Sequence, residues 1–271
     1  MKAVVLARGA GRRMRAADDG ASLTGAQRAA ASAGQKGLMP IGAGPRARPF
    51  LDYVLHELVH AGVNEICLVV GPGADPVRLW YERMPPTRTR LVFAVQPVAD
   101  GTARALMAAE AFADADPFLA LNADNVYPAD VLRLVIALPG PGLPAFERAS
   151  LVDEGGFPAE RVSAFALVNV DARGHLRDII EKPATGRLEA AGAEALVSMN
   201  VWKFDRRIFG ACRDVPMSAR GEFELPEAVA LSLVRGVEYQ VVRARGAIID
   251  LSGRGDVAAV ERRLAGREVV L

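Results

Sequence analysis

Short apolar runs and stretches of helical periodicity take turns along the first half of the chain. Lys2–Ala7 carries two adjacent valines and no charge beyond Lys2, which predicts a strand buried on both faces. Pro49–Ala61 places Phe50, Tyr53, Val54, Leu58 and Ala61 at helical spacing, and Gly62 follows as a stop. Glu65–Gly71, Leu91–Val95 and Phe118–Asn122 read as further strands, and Thr102–Phe112 and Asp130–Leu138 as helices. Met14–Gly34 is rich in Ala, Gly, Ser and Arg with no sustained apolar face, which predicts a mobile surface loop.

Such alternation argues for a parallel sheet with helices on both faces. Pro139–Pro144 (PGPGLP) cannot continue a helix and marks a change of regime. Beyond it the pattern predicts more isolated strands at Ala149–Asp153, Ser163–Asp171, Ala195–Phe204, Val237–Val242 and Ala247–Leu251, with helices near Leu225–Val234 and Asp256–Leu264. The expected architecture is one α/β domain over residues 1–271: a doubly wound, mostly parallel mixed sheet flanked by helices. Residues 1–138 would form one half and residues 139–271 the other.

Composition narrows the partners more than the fold. With 271 residues, 51% of them hydrophobic, the chain can bury a real core. Its 33 Lys and Arg balance 32 Asp and Glu, so no global field favours nucleic acid or an anionic membrane. Cys67 and Cys212 sit in apolar segments without CxxC or Cys/His spacing, which suits a reduced, cytoplasmic protein without structural zinc. The N-terminal apolar run is too short for a signal peptide, and no stretch approaches bilayer length. His56, His60 and His175 read as structural, because no carboxylate motif accompanies the first two and the third stands alone.

Chemistry gathers where predicted strands end. Leu6–Met14 (LARGAGRRM) follows the first strand; Gly9 and Gly11 let backbone N–H groups approach an anion, and Arg12, Arg13 and Arg15 add charge. The spacing matches neither GxGxxG, which needs Gly where Met14 stands, nor GxxxxGK[ST]. By itself the segment is equally a Gly-rich turn with solvated arginines. Asp124 in FLALNADNVY and Asp250 in IIDLSG each follow an apolar strand. Hard carboxylate oxygens at two strand ends suit Mg2+, although either Asp alone reads as a turn cap. Gln96 ends a predicted strand ahead of Gly101 and Thr102, and a glutamine amide can pair with a pyrimidine edge. In LRDIIEKP, Lys182 could neutralise a phosphate and Glu181 accept from sugar hydroxyls; EKP alone reads as an exposed ion pair at a turn. SARGEFELPEAV holds Arg220 and Glu222 before a helix whose first turn acids would favour in any case.

Taken in order, LARGAGRRM and QKGLMPI (Gln35–Ile41) resemble the paired signature of the sugar 1-phosphate nucleotidyltransferases, the sugar-nucleotide pyrophosphorylases. Ala123-Asp124-Asn125 is similar to the family's G-D-[NH], Asp250-Leu251-Ser252-Gly253 loosely to D-x-G-[ST], and Arg220–Glu224 to R-G-E-x-E. The likeness runs from Met1 to about Val260. It implies a Rossmann-like, GT-A-like nucleotidyltransferase fold. It further implies an enzyme that moves a nucleoside monophosphate from an NTP, UTP or dTTP by the Gln96 signal, to a sugar 1-phosphate with release of pyrophosphate.

The resemblance assigns Arg13, Lys36 and Lys182 to catalysis, and Leu6, Ala7, Gly9, Gly11, Arg13, Gln96, Gly101 and Thr102 to the nucleotide. It assigns Glu181, Lys182, Asn200, Arg220 and Glu222 to the sugar phosphate, and Asp124 and Asp250 to Mg2+. Small-molecule substrates are the implied partners, with no nucleic acid or membrane; a homo-oligomer is compatible. The chain departs from the pattern at Arg8, Arg12, Gln35 and Gly37, at Asn200 where Gly is usual, and in the long interval between Arg13 and Lys36. Those departures leave two other readings: a non-catalytic nucleotide- or sugar-phosphate-binding regulator of the same fold, or a nucleotidyltransferase with a non-sugar acceptor.

Overall fold

Strand β1 (Lys2–Leu6) alternates its valine and alanine side chains between two cores, Ala3 and Val5 into one and Val4 into the other. Burial on both faces is what an uninterrupted apolar strand demands, and it places β1 at the centre of the sheet. In the computed structural model, which describes residues 1–9, 11–16, 20–181, 183, 186 and 190–271, β1 lies between two parallel neighbours. Two short strands, β2 (Pro40–Ile41) and β3 (Arg48–Pro49), form a separate hairpin. The main sheet continues with β4 (Glu65–Val70), β5 (Arg90–Val95) and β6 (Phe118–Asn122). A small ladder comprises β7 (Asn125–Val126) and a strand near the C-terminus.

The second half supplies β8 (Gly142–Glu147), β9 (Ala166–Val170), β10 (Leu176–Ile180), β11 (Leu196–Ser198), β12 (Val201–Phe204) and β13 (Gln240–Ala244), then β14 (Ile249–Asp250), the partner of β7. The path is β10-β9-β11-β8-β12-β6-β1-β4-β5, with β13 beside β8. The block β6-β1-β4-β5 is fully parallel. Strands β8, β9 and β13 keep its direction, while β10, β11 and β12 are reversed. The sheet is therefore mixed but mostly parallel in sense, as the sequence leads one to expect.

Helices cover both faces. Phe50–His60 buries Phe50, Leu51, Tyr53, Val54, Leu55 and Leu58 against one face. Thr102–Met107, Arg207–Asp214 and Leu225–Val234 cover the other, over Phe118, Trp202 and Phe204. Among the described residues no helix is long and apolar enough to cross a membrane.

Three sequence expectations need correction. The stretch read as a loop, Met14–Gly34, holds a helix over Gly25–Ala33 with a Thr24/Gln27 capping box and Gly34 as a left-handed C-cap. It buries only Gln27, Ala30 and Ala31. Alanine supplies helix propensity without a wide apolar stripe, so periodicity alone misses it. Ala149–Asp153 is helical, within Arg148–Asp153, and the neighbouring strand is Gly142–Glu147. Pro144 is tolerated there because the strand still pairs in parallel with β13 through Leu143 and Ala145. Ala195–Phe204 is two strands rather than one, broken at Asn200, which takes a left-handed φ of 61°.

Candidate functional site

The carboxyl ends of β1, β4, β5 and β6 face one crevice, where an open α/β sheet binds ligands. Leu6 and Ala7 leave β1 there, with Ala7 N–H donating to Val69 O at 2.9 Å. Gly9 is exposed, and a Cβ on it would meet nothing within 4 Å. Folding therefore does not require glycine at this position, whereas close approach of a ligand would.

Gly11 differs, since it caps the one-turn helix Arg12–Arg15 with φ 60°, and a Cβ would lie 2.2 Å from Gly34 O. That contact seats the loop on the end of the helix Gly25–Ala33 and brings Gln35 and Lys36 beside it. Arg13 is exposed and makes no ion pair among the described residues.

Lys36 Nζ donates to Asp124 Oδ2 at 3.0 Å. Asp124 leaves β6 by a turn, and the β7–β14 ladder ties it to the second acid: Leu251 N–H donates to Asp124 O at 2.9 Å, and Asn125 pairs in register with Asp250. Asn125 Nδ2 donates to Asp250 Oδ1 at 3.1 Å, and Ser252 Oγ to Asp250 Oδ2 at 3.1 Å. Arg161 bridges Asp250 and Asp256, reaching Asp256 Oδ1 at 2.8 Å. The β7–β14 pairing thus brings two acids far apart in sequence to neighbouring backbone positions, with Lys36 on the carboxylate of Asp124 and Arg161 on that of Asp250. Their hard oxygens suit Mg2+, which needs one or two carboxylates when phosphate oxygens complete the shell. Among the described residues no group of three or more His, Cys, Asp or Glu converges, so the pair alone would be the protein's contribution.

On the other side of the crevice, Gln96 is 4% exposed and directly follows β5. Its Nε2 donates to Asp100 Oδ1 at 3.2 Å and to Gly101 O at 3.1 Å. Gly101 has φ 129°, and a Cβ on it would sit 2.2 Å from Phe223 O. Only glycine lets the segment before Leu225–Val234 lie this close. Asp100 O accepts from Phe223 N–H at 2.8 Å, Phe223 O accepts from Ala103 N–H at 2.9 Å, and Thr102 Oγ1 accepts from Leu225 N–H at 2.9 Å.

This junction opens into a cleft of ≈ 100 Å³ lined by Thr102, Asn122, Glu181, Asn200, Arg220, Glu224 and the Leu225–Pro226 step. The expected sugar-phosphate residues Glu181, Asn200 and Arg220 are brought together there. Lys182 lies outside the described residues. Glu222 does not line the cleft, whereas Glu224 does, as the Ncap of Leu225–Val234. It receives Ser218 Oγ at 2.7 Å, and its carboxylate holds the Arg220 guanidinium, Nε at 2.9 Å and Nη2 at 2.6 Å. Glu224 raises the pKa of Arg220 further by accepting its hydrogen bonds. Sequence reasoning missed Glu224, Asn122 and Arg161. The place of Glu224 directly before the helix Leu225–Val234, where an acid is favoured, was the available signal for the first; nothing in the pattern marked Arg161.

The chain is similar at 27% identity to a UTP–glucose-1-phosphate uridylyltransferase of Haloferax volcanii, over 97% of this chain and 96% of that protein. A glucose-1-phosphate thymidylyltransferase of Mycolicibacterium smegmatis matches at 27% identity over 91% of this chain and 75% of its own. The crystal structure of a UDP-glucose pyrophosphorylase complexed with UDP-glucose superposes with a TM-score of 0.73 at 17% identity, covering 98% of this chain and 99% of that one, a likeness of fold. With the family model for nucleotidyl transferases matching residues 2–247, the chain belongs to the nucleotidyl transferase family.

Proposed function

We propose that this enzyme transfers a nucleoside monophosphate from UTP or dTTP to a sugar 1-phosphate, yielding a nucleoside diphosphate sugar and pyrophosphate. The observation that carries the reading is the Lys36–Asp124 ion pair, which the β7–β14 ladder sets beside the backbone of Asp250, in a crevice flanked by the Gly9–Gly11 loop and the Arg220–Glu224 cleft. The names of the relatives support the same chemistry.

In the reaction an oxygen of the sugar phosphate attacks the α-phosphorus, the α–β bridging bond breaks, and its electron pair leaves on pyrophosphate. No protein nucleophile is needed. Positioning and charge neutralisation carry such transfers. Gly9 and Gly11 offer backbone N–H groups to the triphosphate, with Leu6, Ala7, Gln96, Gly101 and Thr102 around the nucleoside. Arg13, exposed and without an ion pair among the described residues, neutralises the departing phosphates. Lys36 is shared between Asp124 and the α-phosphate. Glu181, Asn200 and the Arg220–Glu224 pair hold the sugar phosphate, with Lys182 on its phosphate and Glu222 at the rim. Asp124 and Asp250 would hold Mg2+, which when bound offsets charge on the phosphate oxygens.

Residues 1–138 serve the nucleotide and residues 139–271 the sugar phosphate. The two free, buried cysteines suit the cytoplasm. The test is pyrophosphate release from four NTPs paired with a dozen phosphorylated acceptors, with and without Mg2+. Mg2+-dependent release with UTP or dTTP and a hexose 1-phosphate is expected. Folded protein that releases nothing with any pair overturns the proposal.

A further inference from the structure

Arg8 stands in the nucleotide loop where the resemblance has glycine, and its side chain has an unusual environment. It crosses the carboxyl ends of three neighbouring parallel strands: it leaves β1, lies over Gly71 after β4, and reaches Pro97 after β5. The Arg8 Nε is 3.4 Å from where a Gly71 Cβ would be, and Nη2 donates to Pro97 O at 3.1 Å. The other terminal nitrogen, Nη1, is buried and has no hydrogen-bond partner among the described residues. A buried guanidinium donor left unmet costs free energy, and most such groups in folded proteins find an acceptor.

The residue before Pro97 supplies the complementary half. Both N–H groups of the Gln96 amide are used, by Asp100 and Gly101, so the orientation of the amide is fixed. Its Oε1 receives no hydrogen bond among the described residues. Arg8, tied to Pro97 O, and Gln96, the residue before it, therefore carry at one point of the crevice wall a donor (Arg8 Nη1) and an acceptor (Gln96 Oε1) that no described residue meets.

We infer that Arg8 selects the nucleotide's base, accepting those with a keto–imino edge and rejecting those with an amino edge. Uracil and thymine offer C4=O as acceptor beside N3–H as donor, and guanine offers O6 beside N1–H. Each matches the pair. Cytosine and adenine offer the reverse, an amine donor beside a ring-nitrogen acceptor, which sets donor against donor at Arg8 and acceptor against acceptor at Gln96. Sites built to hydrogen-bond a substrate reject mismatched analogues strongly, because their own buried groups are then left unpaired. Gln96 alone is a weaker reader, since its fixed amide offers the base edge only a single acceptor. Arginine cannot present an acceptor at all. The inference rests on the nucleotidyl transfer proposed above.

The experiment measures KM and kcat for UTP, dTTP, GTP, CTP and ATP in the wild type and in Arg8→Met, with UTP binding followed by calorimetry without acceptor. The wild type should prefer the three keto bases over CTP and ATP. Arg8→Met should raise KM for UTP about tenfold or more, as loss of a hydrogen bond to a charged donor implies. It should also weaken UTP binding similarly, leave kcat within about threefold, and reduce the UTP-to-CTP preference in proportion. Because an unmet buried donor is removed, the ligand-free melting temperature should hold or rise.

A wild type that uses keto and amino bases alike overturns the inference without recourse to a variant. So does an Arg8→Met enzyme with an unchanged UTP-to-CTP ratio, or one whose melting temperature falls together with all activities. A wild type that turns over none of the five with any acceptor instead overturns the nucleotidyl transfer itself.

Discussion

Asp124 is held by one side-chain contact to Lys36 and one backbone contact to Leu251, and both would persist if its carboxylate became an amide. Asp124→Asn removes the charge while keeping an oxygen toward Lys36, so the fold should survive. Loss of one of two hard ligands should lower kcat by about 10²-fold or more, with a melting temperature close to wild type. Unchanged turnover would dismiss Asp124 as a ligand. At this scale sequence reading went as far as residue chemistry could take it. Strand-end logic pointed to Asp124 and Asp250 only as a pair, because one acid after an apolar run is commonly a turn cap and two such strand ends are not. Which of Glu222 and Glu224 enters the cleft depended on the turn at Ser218–Gly221, where Ser218 O–H and Arg220 both engage Glu224. No spacing rule encodes that turn. Arg161 was silent for a similar reason: its partners lie far away in sequence, at Asp250 and Asp256.

Elements position the two walls of the crevice, and each wall has a weak point that mutation can reach. The helix Gly25–Ala33 sets Lys36 through its left-handed Gly34 cap, and its N-terminus is secured by Thr24 Oγ1 accepting from Gln27 N–H and by the reciprocal bond to Gln27 Oε1. Thr24→Ala should cost about 1 kcal/mol in chemical denaturation, the usual price of a lost cap. On the opposite wall, Gly101 allows the Asp100–Phe223 backbone pairing that joins the nucleotide side to the sugar side. Gly101→Ala introduces both a φ foreign to alanine and a collision with Phe223 O. A loss of about 3 kcal/mol or more is expected, measured by the same unfolding curves. A change below 1 kcal/mol would mean the two segments separate easily. The two elements also show why legibility varied. Gly101 was singled out from its place before a helix as a nucleotide contact, whereas the close approach it permits in the fold is to the Phe223 backbone, far away in sequence. The helix Gly25–Ala33 was not singled out, because its buried face is only Gln27, Ala30 and Ala31, too slight to register against a background of small residues.

Across the whole molecule, the parallel block was readable because each of its strands is apolar on both faces, whereas the later strands needed partners the sequence does not announce. Strand β8 begins at Gly142, inside the PGPGLP break, and holds its place through β11, β12 and β13, all of which come later in the chain. A similar long-range contact governs stability against pH. Asp52, in the helix Phe50–His60, is 5% exposed, accepts from Tyr81 O–H at 2.7 Å and faces Arg48 at 3.5 Å. Burial raises its pKa above the ordinary 3.8, outweighing the lowering by Tyr81 and Arg48. A group whose folded pKa is raised contributes stability below its unfolded pKa and loses that contribution as pH climbs through the folded value. The ionised Asp52 is therefore a net cost at neutral pH. Asp52→Asn keeps an oxygen for the Tyr81 hydroxyl and carries no charge, so it should be at least as stable as the wild type at pH 7. Its advantage should shrink to nothing as pH falls below about 3.8. Paired denaturation curves from pH 3.5 to 7 decide the matter: a variant less stable at pH 7 than at pH 3.5, relative to wild type, would show that the Arg48 ion pair outweighs the burial of the charge.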